Sequence, residues 1–464
     1  MHGLHDPATR AICLLFASLA LIHAQQPSPG GLTIAQAVDA AVHNYPAIRV
    51  SQEQMNAAAA GIRLARTAYL PRVDWLAQAS RATRNNVFGL LLPQGTISSM
   101  SGPVLGTNNL GTAWGSAIGT LVSWEPFDFG ARKASIDAAT AAHARSEAAL
   151  KRTEYDTAVA CADAYVTLAA TQETVRAAQA GLDRSEILLK TITALVNAQL
   201  RPGADASRSE AETAAARSQV IQAKQAVDVA RANLSRFVGL EPPQIQLAAP
   251  RLLQLPAAQP VAPLNTAANP IQVAQNSVVE ELRSQLKVLE RSYFPRFLLQ
   301  GTAYARGTGA ETDGRLLGGL NGLAPATQNY ALGLTVTFPA MDFASIRARE
   351  SEQTANIRAE TARAQQIAVD LKAQWNSAVA TEQAARNIAA NTPVEVSAAR
   401  AATDQATARY KSGLANIDEL AEAQRLLTQA EIDDALARLS VWRALLGIAA
   451  AAGDLQPFLS EASQ

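Results

Sequence analysis

The sequence predicts a mainly α-helical chain with a β-barrel portion, internally duplicated, that supplies four membrane strands and several very long helices to a wall shared between copies. Three observations predict it. Asp128 to Leu240 is written a second time from Asp342 to Asp454. Ahead of each copy stand two segments of about ten residues that alternate apolar and polar, and within each copy a helical period is sustained for about seventy residues.

Fixed anchors carry the duplication. Phe127-Asp128-Phe129-Gly130 aligns with Met341-Asp342-Phe343-Ala344, Asp205 with Glu419, and Val238-Gly239 with Ala452-Gly453, all at an offset of 214 residues without a gap. Upstream, Asn44-Tyr45-Pro46 answers Asn269-Pro270, and Tyr69-Leu70-Pro71-Arg72 answers Tyr293-Phe294-Pro295-Arg296, at an offset of 224. Composition sets outer limits. The chain holds 40 basic and 40 acidic residues, a balance that lacks the basic excess of a nucleic-acid binder. Ala, Gln, Glu and Arg dominate the repeated stretches, which favours long helices over compact cores.

Residues 1–24 read as a secretory signal. Arg10 precedes the apolar run Ala11 to Ile22, and Ile22-His23-Ala24 ends on the small residue a signal peptidase accepts. The run is short for a permanent bilayer span, and Cys13 inside it leaves with the signal. Cys161 is then the one thiol, too few for an internal disulfide, and with only His43 and His143 beside it no metal centre or other cofactor is expected. Past the signal no window holds eighteen uninterrupted apolar residues, so membrane passage by helix is not expected.

The first repeat takes residues 25–240. Residues 32–70 read as helix with a restart near Pro46: Ile48, Met55, Ile62 and Tyr69 recur at sevens, and Pro71 stops the run. A β-hairpin follows at about 72–124. Val73, Trp75, Ala77 and Ala79 share one face, Trp114, Ile118, Val122 and Trp124 share another, and the Gly/Ser/Asn-rich stretch Asn85 to Gly111 is the loop between them. A long helical hairpin occupies about 131–238. Cys161, Leu168, Val175, Leu182, Leu189 and Val196 fall on successive sevens beside the smaller Ala164, Thr171, Ala178, Ser185 and Ile192, a seam that admits close helix approach; Arg201-Pro202-Gly203 turns the chain back. A Pro-rich linker, 241–269, joins the copies.

The second repeat takes residues 270–457: a helix, a β-hairpin at about 296–339, and a helical hairpin at about 344–452 that turns at Gly413. Phe297, Leu299, Gly301, Ala303 and Ala305 alternate with polar neighbours, as do Tyr330, Leu332, Leu334, Val336 and Phe338. Residues 458–464 are a tail. Pro393 falls deep inside the long helix, where it should kink it, break it or demand compensation, at ~3 kcal/mol in an unadapted helix.

Lengths suggest the architecture. The long helix measures ~105 Å at about 1.5 Å per residue, and the two shorter helices of each copy, end to end, reach ~90 Å. Each copy therefore makes two rods, one continuous and one spliced, beneath a hairpin of membrane-strand length with aromatic residues near the strand ends. Four strands cannot close a barrel and lipid does not tolerate open edges, so the protomer must oligomerise; three copies give twelve strands over twelve rods.

The duplicated plan, the Tyr-Leu-Pro entry to the first hairpin, Asp-Phe-Gly and Asp-Phe-Ala at the two exits, and Arg409-Tyr410-Lys411-Ser412-Gly413-Leu414 followed by Glu419 and Ala423-Gln424 together resemble the TolC-type outer-membrane efflux protein family over about residues 32–457. The resemblance implies a homotrimeric channel-tunnel, with its barrel in outer-membrane lipid and its α-helical barrel in the periplasm. It implies as partners a periplasmic adaptor protein and an inner-membrane transporter. By the same resemblance the periplasmic gate falls at the second turn of each helical hairpin, with Tyr410, Asp418, Glu419 and Glu422 as candidate gate residues. The adaptor would meet the tips Gln199-Leu200-Arg201 and Ser412-Gly413-Leu414. Rings of three carboxylates would attract cations and repel one another in a narrow aperture; as ordinary sequence the same acids suit a helix start.

Asp128-Phe129-Gly130 also matches a kinase magnesium motif, but no Gly-rich nucleotide loop precedes it, and no catalytic constellation is present. The alternative from another class is a secreted or periplasmic coiled-coil scaffold with exposed hairpins. Cargo is not legible in the residues.

Overall fold

A computed structural model describes residues 31–83, 111–258, 263–311 and 315–463. The signal assigned to residues 1–24 and the first hairpin's loop up to residue 110 lie outside the described residues. The chain runs α1 (Ile34–Asn44), α2 (Pro46–Thr67), β1 (Arg72–Thr83), β2 (Thr112–Phe127), α3 (Ala131–Asn197), α4 (Gly203–Val238), α5 (Pro270–Arg291), β3 (Arg296–Thr308), β4 (Thr327–Thr337), α6 (Phe343–Lys411), α7 (Ile417–Ala452) and α8 (Gln456–Ala462). Short 3-10 turns at Pro242–Gln244, Arg251–Leu253 and Thr266–Ala268 punctuate the linker.

The four strands form one antiparallel sheet in the order β1-β2-β3-β4, so the two hairpins are welded through β2 and β3. Cross-strand register sorts the side chains by face. Val73, Trp75, Ala77 and Ala79 stand opposite Val122, Thr120, Ile118 and Ser116, and the row continues through Gly301, Ala303 and Ala305 to Leu332, Tyr330 and Gln328. The other face carries Asp74, Gln78, Gln300, Thr302, Tyr304 and Asn329. Trp75, Tyr330, Leu332 and Leu334 are all more than half exposed, an apolar outward face of the kind that lipid covers favourably. Pro126 sits in the register break between Trp124 and Phe127, where a missing N–H costs no ladder bond.

Below the sheet stand two rod pairs. α3 packs along α2 and α4, and α6 along α5 and α7. The splices are local. Where α4 ends, the Phe237 ring lies 5.3 Å from Tyr45, the residue before α2. Where α7 ends, Asn269 donates 3.0 Å to the Ala451 carbonyl while its own side chain caps α5 through the Ile271 N–H. Gly453 turns the chain there at φ 88°, and a Cβ on it would lie 2.8 Å from the Asn269 Cα, so the splice needs a glycine on both counts.

The main core gathers where the linker wraps the rods. Tyr165, near the middle of α3, donates to the carbonyls of Leu32 (2.8 Å) and Ala248 (3.1 Å). Trp442 donates 2.9 Å to the Gln254 carbonyl and is fully buried with Leu168, Leu234 and Leu252. The Arg386 guanidinium on α6 holds the Pro256 and Ala257 carbonyls. The described residues of the stretch read from sequence as linker therefore pack as a belt, with Ile245, Leu252 and Pro256 buried.

At the C-terminus α8 buries Phe458 and Leu459 in the core that holds Trp442, and it runs across residue 457. Pro393 neither breaks nor ends α6. It lies on the exposed face of α6, and its neighbour Thr392 is buried and donates 2.9 Å to Asp434 on α7, which holds the helix to its partner at this point. One eighteen-residue window of α7 reaches a mean hydropathy of 1.4, and 39% of it is buried; Trp442 and Val441 of the same helix are fully buried in the core.

Candidate functional site

The far ends of the rods carry two turns of matching construction. At the α3–α4 turn the N–H groups of Gln199 and Leu200 reach back to the carbonyls of Val196 and Leu195, both at 2.9 Å. At the α6–α7 turn Gly413 and Leu414 do the same to Tyr410 (3.0 Å) and Arg409 (2.9 Å). This is the Schellman helix ending, which requires a positive φ at its hinge residue. Gly413 supplies φ 78°, and Gln199 adopts φ 59° in the equivalent place. Leu200 and Leu414, in equivalent positions, project 70% and 71% exposed. Ser412 and Gln199 are exposed beside them, and Arg201 is half-buried.

Tyr410 lies in the interior of the tip. It is 1% exposed in a cluster with Ile192, Ala406, Ile417 and Leu420, so α3, α6 and α7 meet around it. Its hydroxyl donates 2.8 Å to Asp205 at the start of α4, and the Arg201 guanidinium stacks 4.3 Å over its ring while hydrogen-bonding the Tyr410 carbonyl. Burial, then the Asp205 hydrogen bond and negative charge, pushes the hydroxyl up to about 12.

The three candidate carboxylates are exposed, and each has an arginine. Asp418 faces Arg208 of α4 at 3.4 Å, Glu419 faces Arg409 of α6 at 3.2 Å, and Glu422 pairs with Arg425 one turn along α7. Asn416 caps α7 by accepting from the Glu419 N–H at 2.9 Å, so the acids occupy the helix start where the backbone dipole favours them. Glu422 and Arg425 also line a groove of about 440 Å³ between the two hairpins, opposite Ser209 and Glu212 of α4. Higher up, Arg184 of α3 and Arg400 of α6 converge on Glu431 of α7 at 2.8 and 3.5 Å.

The tip thus joins Tyr410, Asp418 and Glu419 through partners on other helices, while Glu422 is held within α7. Sequence reading missed Asp205, Arg208 and Arg409 as members of this cluster. A signal existed for Asp205: the repeat register places it opposite Glu419.

Exposed, arginine-paired acids thus stand at one end of long packed helices whose other end carries a four-stranded ribbon with an apolar outer face. Solved structures share this fold. The CmeC outer membrane channel of Campylobacter jejuni matches with a TM-score of 0.71 and 15% identity over 96% of this chain and 94% of that one. The outer membrane protein VceC of Vibrio cholerae gives 0.69 and 17% over 91% and 96%. The open-state MtrE channel of Neisseria gonorrhoeae gives 0.68 and 18% over 91% and 89%. No curated protein sequence matches the chain. The family model for outer membrane efflux protein matches residues 37–240 and 268–454, one segment for each repeat, and the chain belongs to that family.

Proposed function

We propose that three copies of this outer-membrane efflux channel form the passive exit duct of a tripartite efflux or type I secretion assembly. The observation that carries this reading is the ribbon β1-β2-β3-β4, whose outward face is apolar and whose edge strands β1 and β4 pair with nothing further among the described residues. An open edge in lipid leaves a row of unsatisfied N–H and C=O groups, so the ribbon is complete only when β4 of one copy meets β1 of the next. Three copies close twelve strands above twelve rods. Membership in an outer-membrane family leaves no place for the soluble coiled-coil scaffold.

In this reading the periplasmic end is the gate. Tyr410 holds the second helical hairpin to the first, and Glu419 and Glu422, repeated by threefold symmetry, ring the aperture with Asp418 beside them. The exposed Leu200 and Leu414, flanked by Gln199, Arg201, Ser412 and Gly413, offer apolar contacts to a periplasmic adaptor, which couples the duct to an inner-membrane transporter. Nothing in the duct consumes energy; its partners drive the cargo.

Planar-bilayer recording of the purified oligomer tests this. Low conductance blocked by multivalent cations is expected for the native protein, and Glu419→Gln with Glu422→Gln should raise conductance and relieve the block. Unchanged conductance and block would remove these acids from the gate, and a monomeric particle in detergent would remove the shared barrel.

A further inference from the structure

We propose that Arg81 and Trp114 form a binding site for the phosphorylated headgroup of an outer-leaflet glycolipid; the proposal rests on the barrel reading above. Arg81 is the one charged residue on the outward face of the four strands among the described residues. Arg72, Asp74, Arg296 and Arg306 all have the opposite parity and face inward, and Glu125 lies in the register break of β2, next to Trp124 at the periplasmic end. A lone lipid-facing arginine is strongly unfavourable at mid-bilayer and nearly neutral at the interface, so its height decides what it does.

The tryptophans of β2 supply that height. Trp124 and Trp114 share the outward face ten residues apart, roughly 33 Å along a strand and roughly 25 Å of height at a tilt of about 40°, the thickness of the apolar band. Trp124 marks the periplasmic border, where its indole N–H donates 3.1 Å to the Tyr69 carbonyl below the sheet. Trp114 therefore marks the outer border, as aromatic belts do. Arg81 is its direct cross-strand partner, with the guanidinium carbon 5.6 Å from the indole centroid.

The geometry prepares Arg81 for an anion. Its Nε donates 3.1 Å to the Thr112 hydroxyl, which fixes the plane of the guanidinium and leaves the two terminal nitrogens on the exposed edge. No carboxylate pairs with it among the described residues. A planar fork held against an indole at the headgroup level matches a phosphate monoester bidentately, and the indole covers the adjoining acyl chain.

Native mass spectrometry and thermal unfolding of the detergent-purified oligomer, titrated with diphosphorylated lipid A, enzymatically dephosphorylated lipid A or inorganic phosphate, test the site. One diphosphorylated lipid retained per protomer and a raised Tm are expected, with retention at least fivefold weaker for the dephosphorylated lipid and for Arg81→Gln. Arg81→Lys should retain an intermediate amount, because it keeps the charge and loses the fork. Equal retention by native protein and Arg81→Gln overturns the proposal, as does equal stabilisation by inorganic phosphate alone. Either variant recovered from the outer membrane as an oligomer keeps the barrel reading intact; a native chain absent from the outer membrane sinks the barrel reading itself.

Discussion

Tyr410, one residue from the end of α6, donates a 2.8 Å hydrogen bond to the carboxylate of Asp205 in the first turn of α4. The second helical hairpin is thereby tied to the first by a buried hydroxyl and a charge. Arg201 reinforces the tie from the ring face, so one turn of α6 is gripped from both sides by the α3–α4 turn. An outward swing of the α6–α7 tip has to break this grip.

Tyr410→Phe keeps the ring and its cluster while removing the hydroxyl. A hydrogen bond to a charged group is worth about 1.5–3 kcal/mol, a factor of roughly ten to a hundred in a closed-to-open ratio. Single-channel recording should show a higher open probability, with far-UV circular dichroism and oligomer size unchanged. An open probability equal to that of the native protein would mean that Tyr410 serves only the core.

The same pair makes the tip sensitive to alkali. The Tyr410 hydroxyl ordinarily ionises near 10 and is pushed up to about 12 in the folded tip by burial and by Asp205. A folded-state value above the unfolded one means that the contribution is whole below pH 10 and is lost as pH climbs from 10 toward 12. Conductance measured across that window should rise in the native channel, and Tyr410→Phe, already lacking the proton, should lose this component of the rise.

Much of this plan was legible because it depends on local chemistry. Asn269-Pro270 and Tyr45-Pro46 start helices, Gly239 and Gly453 end them at positive φ, and period-two segments became strands within a few residues of their expected limits. What escaped depends on distant partners. α8 is seven residues long and becomes a helix only against Trp442, and the linker becomes a belt only against Tyr165 and Arg386. Tyr410 reads from sequence as a candidate wall of an aperture, because its partners Asp205 and Arg201 are more than two hundred residues away. Arg208, opposite Asp418, was hidden for the same reason, whereas Arg409 lies close to Glu419 in sequence and is brought against it only by the turn between α6 and α7.

Gln199 occupies a backbone conformation at φ 59° that its repeat equivalent leaves to Gly413. A side chain in the left-handed region costs about 1–2 kcal/mol, partly offset by the ~0.5–1 kcal/mol that a glycine loses in chain entropy. Gln199→Gly should therefore stabilise the tip by up to about 1 kcal/mol, and Gly413→Ala should destabilise it by about 1 kcal/mol. Thermal unfolding of the solubilised oligomer reads both, and the reverse order of the two effects would show that side-chain contacts of Gln199 outweigh its backbone.

Asp128 carries the last prediction, at the corner between barrel and rods. Its carboxylate accepts from the Gly130 N–H at 3.1 Å, the Arg132 N–H at 2.6 Å and the Arg132 Nε at 2.8 Å. Arg132 in turn stacks 4.6 Å over Tyr69 and donates 3.3 Å to the Ala68 carbonyl, binding the end of α2 to the start of α3. Burial pushes the Asp128 carboxyl up, but the bonds from Arg132 and Gly130 outweigh it and hold the group below its ordinary 3.8. The depressed folded value makes this contribution complete above pH 3.8, and it is lost as pH falls through the lower folded value. Asp128→Asn leaves Arg132, about one-tenth exposed, without its counter-charge and should cost about 2–3 kcal/mol near neutral pH. The variant's stability should also depend less on acid than the native protein's. The duplication supplies the control: at the equivalent corner Asp342 is exposed and makes no capping bond, and Ile346 stands where Arg132 stands. Asp342→Asn should therefore change the unfolding temperature hardly at all. Equal losses from the two substitutions would mean that the helix start, which both acids share, matters more than the ion pair, which only the first repeat has.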